Sequence, residues 1–171
     1  MDARTLFALA RYNRWANERV LDCVSRLDDA ARSEPAPGTA GSIAITLAHL
    51  AETEVYFTAL VRGEPFAQIP NEMAWDELRA VVERADAALE ALVQGYSEID
   101  GQINRDGRPY TVRDLLLQAL THSHQHRTQV AAATDLRGVP VKTTDYIDYI
   151  DAMNVRGLGP PDQTSRGAGN A

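Results

Sequence analysis

Three of the four histidines in this chain are spaced so that they could do chemistry together. His122 and His126 stand four apart in LTHSHQHRTQ, and His49 lies upstream in SIAITLAHLAETEVYF. Each residue of an α-helix advances about 100°, so His122 and His126 project only about 40° apart, one turn from each other, and one small cation can touch both rings. His124 lies about 160° to 200° from either and is expected to face elsewhere, on the surface. Neutral imidazole is a good ligand for Zn²⁺, Ni²⁺, Cu²⁺ or Fe²⁺, and three such ligands leave coordination positions open for water or substrate. An ion held in this way lowers the pKa of a bound water toward about 7, polarises an oxygen or binds a thiolate. The spacing permits this triad without requiring it, because a histidine pair at i,i+4 is also a common pair of polar surface neighbours.

Those residues need elements to carry them. Leu6, Leu9, Ala10, Ala16, Val20, Cys23, Val24 and Leu27 recur at three- and four-residue steps, predicting a helix over about 3–28. LDDAARSEPAPGTAGS, with Pro35, Pro37, Gly38 and Gly41, reads as a loop. Ser42 is a suitable N-cap for a second helix that has Leu47, Leu50, Ala51, Val55 and Leu60 on its apolar stripe, carries His49 and ends near Gly63. A third helix follows the Pro65–Pro70 loop, with Leu78, Val82, Ala85, Leu89 and Leu92 on one face. Asp106-Gly107 suits a tight turn in a small hairpin. Thr111 with Asp114 three residues on resembles a helix start, and a helix over about 112–136, closing at Gly138, would carry the histidine pair. TTDYIDYIDAM reads as a short final helix capped by Thr143 or Thr144. The expected fold is all-α, a four-helix bundle with a short hairpin and a short C-terminal helix. The bundle is expected over residues 1–155, with 156–171 as a tail poor in apolar residues.

Composition limits what such a bundle does. With 171 residues and 44% hydrophobic residues, the chain can bury one substantial core. A net charge of −7 argues against general phosphate-backbone binding, so no nucleic-acid partner is expected. No run reaches the roughly 18 apolar residues of a membrane span, and the N-terminus lacks an uninterrupted apolar signal. A lone cysteine, Cys23, cannot form an intramolecular disulfide; a cytoplasmic location is the expectation.

YNRWANERVLD, GSIAITLAHLAETEVYF and THSHQHRTQ followed by LRGVPVKTTDYIDYI resemble, in this order and across most of residues 6–151, the DinB-like (DinB/YfiT) family. The matching pieces are Trp15-Ala16-Asn17, Thr46-Leu47-Ala48-His49 and His122 through Gln129. The resemblance implies a damage-inducible family of four-helix bundles in which His49, His122 and His126 bind a divalent metal, commonly nickel or zinc, often within a homodimer. It also implies that some relatives are S-transferases or isomerases using low-molecular-weight thiols such as bacillithiol or mycothiol. The chain departs from the family pattern at Thr128, where a Gly that allows close helix packing is frequent.

The reading that follows is a metal-dependent transferase or hydrolase acting on a small molecule. The alternative is a non-catalytic metal-binding stress-response or interaction protein. Glu52, about 60° round the helix from His49, is the candidate general base, with a surface salt bridge as its plainer role. Arg127 could attract an anion and Gln129 could bond a neighbouring backbone, although structural roles suit both. Tyr12 and Trp15 are expected to pack, Cys23 to fill an apolar stripe, and Asp145 to favour the start of its own helix or to bond a histidine.

Overall fold

The computed structural model describes residues 2–96 and 98–156. Six helices and one hairpin run in the order α1 (Ala3–Val24), α2 (Asp29–Ser33), α3 (Ile43–Arg62), α4 (Trp75–Gly95), β1 (Gln102–Arg105), β2 (Arg108–Thr111), α5 (Val112–Asp135) and α6 (Tyr146–Val155) among the described residues. The long helices α1, α3, α4 and α5 form the bundle, so the all-α expectation holds. No helix among the described residues is long and apolar enough to cross a membrane.

The two helices that matter most for the histidines begin and end where local chemistry dictates. Before α3, the Ser42 side chain accepts from the Ile45 amide at 3.2 Å, and Gly63 closes the helix at φ 67°, a left-handed conformation that glycine adopts without a Cβ clash. Before α5, the Thr111 hydroxyl accepts from the Asp114 amide while the Asp114 carboxylate accepts from the Thr111 amide, a reciprocal box with Asp in the usual Glu position. The preceding hairpin pairs Gln102 with Thr111 and Arg105 with Arg108, and its turn places Asp106 (φ 52°) and Gly107 (φ 78°) in the left-handed region that a two-residue hairpin needs.

Two expectations need correction. The first helix stops at Val24 rather than near residue 28, because the separate helix α2, capped by Asp28, forms inside what reads as a loop. The final helix is not capped by Thr143 or Thr144. Asp145 occupies the N-cap position and makes no side-chain capping bond. The expected tail, apart from Arg156, lies outside the described residues.

The apolar core falls into two main clusters along the bundle. One gathers Val20, Val24, Leu47, Leu50, Val82 and Val130; the other gathers Leu6, Phe57, Leu89, Leu116 and Leu120. Between them in sequence on all four long helices lie the buried polar residues Asn13, Asn17, Glu54, Asp86, Ser123 and Arg127. A third, smaller cluster docks α6 on α1 through Trp15, Tyr149 and Met153, with the Tyr12 hydroxyl donating to the Thr144 carbonyl at 2.7 Å.

Candidate metal centre

His49 is on the seventh residue of α3, and His122 and His126 occupy successive turns near the middle of α5. Packing of α3 against α5 brings the three rings together, with centroids 5.0 Å (His49–His122), 4.8 Å (His49–His126) and 4.3 Å (His122–His126) apart. One ligand nitrogen from each residue lies within 4.8 Å of the others, a grouping that could hold a metal ion.

The two donors on α5 are spaced for one divalent ion. The Nε2 atoms of His122 and His126 are 3.1 Å apart. Two nitrogens bound about 2.0–2.1 Å from one ion stand roughly 2.9–3.4 Å apart between right and tetrahedral angles. Gln129, one turn beyond, sets the tautomer. His126 Nδ1–H donates to Gln129 Oε1 at 2.7 Å, which leaves the Nε2 lone pair facing His122. Burial, reinforced by the neighbouring rings of His126 and His49, pushes the His122 pKa down to about 4. Burial also lowers that of His126, against an opposing hydrogen bond to Gln129. Both rings are therefore neutral near pH 7, the form that coordinates metal.

Glu52 lies beside this group. Its Oε2 is 3.8 Å from His49 Nδ1, and its Oε1 accepts from the Ile69 amide at 3.4 Å, tying the loop after α3 to the rim of the site. Two open cavities meet at Glu52 and Gln68. One, of about 560 Å³, is lined by His49, Glu52 and Asn71; the other, of about 420 Å³, by His122, Tyr56, Phe66 and Arg105.

The remaining candidates fall elsewhere. Arg127 is buried and turned away from the histidine cleft, since it follows His126 by about 100° on the helix. It donates to Asn13 Oδ1 at 2.8 Å and Asn17 Oδ1 at 2.9 Å, and to His124 Nδ1 at 3.1 Å. His124 is exposed as expected, and it additionally serves as acceptor for this guanidinium. Gln129 bonds an imidazole rather than backbone. Tyr12 and Trp15 pack with Tyr149, and Cys23 is buried with its thiol toward the Pro140 carbonyl. Thr128 is exposed and donates back to the His124 carbonyl at 2.9 Å, so the absence of Gly there leaves α5 packing intact.

Sequence reading missed the polar layer behind the histidines. Asn13 Nδ2 donates to Glu54 at 2.8 Å and Asp86 at 3.0 Å, and Asn17 Nδ2 donates to Asp86 at 2.8 Å. Burial pushes both carboxyl pKa values up, Asp86 furthest because the Glu54 charge adds to its desolvation. Arg127 is the one cation in this layer among the described residues. Two carboxyls buried beside one cation favour a retained proton, and the second oxygens of Glu54 and Asp86, which have no hydrogen-bond partner among the described residues, are placed to share it. A signal existed: Asn13, Glu54 and Asp86 all fall in phase with the apolar stripes of their helices.

A family model described as the DinB family matches residues 1–163. No curated protein matches the chain.

Proposed function

Starting from the fact that the chain belongs to the DinB family, we propose that it is a divalent-metal-dependent enzyme that activates a water or a low-molecular-weight thiol for transfer to, or hydrolysis of, a small molecule. The observation that carries this reading is the convergence of His49, His122 and His126 beside an open cleft. Nickel and zinc both suit an all-imidazole set, and such an ion, when bound, supplies Lewis acidity at the coordination positions the histidines leave free.

The chain's own residues do the rest. Gln129 holds His126 in the coordinating tautomer, and the low-lying His122 pKa keeps that ring unprotonated at neutral pH. Glu52, at the junction of the two cavities, is positioned to take a proton from a nucleophile entering beside His49. Association as a homodimer is part of the same reading, and sedimentation over a range of concentrations checks it.

Elemental analysis of the purified protein, with His49→Ala and His126→Ala beside it, tests the proposal. Both variants are expected to lose the metal while keeping their helical circular dichroism. A screen of thiols with electrophiles, and of hydrolysable esters and amides, is expected to give turnover in the metal-loaded form only. Firm metal binding with no turnover across that screen would favour the non-catalytic alternative.

A further inference from the structure

The larger cavity is lined mainly by polar groups around His49, whereas the smaller has a different character. Its walls are aromatic: Tyr56 and Phe57 from α3, and Phe66 from the loop beyond it, with Tyr56 packed edge-on to both phenylalanines at 5.2 and 5.3 Å. His122 lines the same space, so it opens directly onto the histidine centre. Its one cation among the described residues is Arg105, the last residue of β1.

Arg105 is held in place from one side. Its Nε donates to the Tyr56 hydroxyl at 2.9 Å, and its guanidinium lies 5.3 Å from the Tyr56 ring centroid and 5.8 Å from that of Phe57. The nearest carboxylate, Asp106, is 3.7 Å from that same Nε and is almost wholly exposed on its own side. Neither terminal nitrogen makes a hydrogen bond among the described residues, which leaves the outer edge of a planar, pre-oriented fork free beside an aromatic wall. A fork of this kind matches a carboxylate, which it can bind through two parallel N–H···O bonds.

Resting on the metal-centre reading above, we propose that this cavity selects small aryl- or alkyl-bearing carboxylic acids, with Arg105 as the specificity-determining residue that holds the carboxylate while the other end of the molecule reaches the histidine centre. The aromatic walls take the apolar body, and a volume of about 420 Å³ suits a molecule of this size.

The test uses the full-length protein loaded with Co²⁺ and two probes, 4-(mercaptomethyl)benzoate and 4-(mercaptomethyl)benzamide. They share a metal-seeking thiol and differ only in the charge of the far group. Binding is read from thiolate-to-cobalt charge-transfer absorption, so no turnover is required. The acid is expected to bind about tenfold more tightly than the amide, the scale of one charge-assisted pair at a half-exposed site. Arg105→Gln should remove that preference while leaving cobalt uptake unchanged, and Arg105→Lys should retain part of it. Cobalt uptake with equal affinity for both probes in the parent protein, or a preference that survives Arg105→Gln, overturns the proposal alone. Failure to take up cobalt overturns the metal-centre reading and this proposal with it.

Discussion

Gln129 shows how much a single side chain can decide at the histidine centre. Its carbonyl oxygen accepts from His126 Nδ1, and without that acceptor the ring is free to turn or change tautomer. Gln129→Ala should therefore weaken metal binding about tenfold or more with the helical signal unchanged, as measured by competition against a chromogenic chelator. Glu52 predicts the opposite pattern. Its carboxylate sits at the edge of the group, so Glu52→Gln should keep full metal occupancy and lower turnover by about a hundredfold, the scale of a lost general base. Equal losses of metal and turnover would make Glu52 a support for the site rather than a base.

On α5, side chains one residue apart serve two different surroundings. His122 and His126 face the cleft, and Ser123 and Arg127, each rotated by about 100°, face the interior. The interior set joins Asn13 and Asn17 of α1, Glu54 of α3 and Asp86 of α4, so the helices that carry the histidines are tied to the others at the same level. Asp86→Ala should cost about 3 kcal/mol in urea unfolding because it leaves buried donors without acceptors. Asp86→Asn should cost less than about 1.5 kcal/mol, since an amide can accept from Asn17 and donate to Glu54 as the protonated acid does. The raised carboxyl pKa values fix the sign of the pH effect. The native state takes up its proton at higher pH than the unfolded chain, so this layer adds stability as pH falls from neutrality toward the ordinary carboxylate range and loses it as pH rises. Asp86→Asn should flatten that slope. At the start of α5, Thr111→Ala removes half of the capping box and should cost about 1 kcal/mol.

Across the described residues, two main apolar clusters each join all four long helices and hold the bundle together. His49 remains substantially exposed, as befits a residue at the mouth of a cleft. Removal of metal by a chelator should therefore leave a folded protein with a cooperative thermal transition, the midpoint lowered only by the linkage between ligand and native state. Loss of that transition on chelation would mark the metal as a structural element of the fold. The hairpin and the loop carrying Phe66 lie outside the bundle yet bring Arg105 and aromatic surface to the cleft, so they are the parts in which a change of substrate preference is expected to concentrate.

The sequence alone determined the helices and the pairing of His122 with His126, because both follow from local rules. Apolar residues at three- and four-residue steps define helices, Ser42, Thr111 and Asp106-Gly107 mark their boundaries and turn, and a four-residue interval puts two rings on one face. The short helix α2 escaped notice because the five residues Asp29–Ser33 are too few to show a period among nearby prolines and glycines. The approach of His49 to the pair, the capture of Arg127 by Asn13 and Asn17, and the arrival of Arg105 beside Tyr56 were decided only by tertiary structure. Each joins residues at least 49 positions apart, and such distances depend on how helices pack rather than on any pattern within one of them.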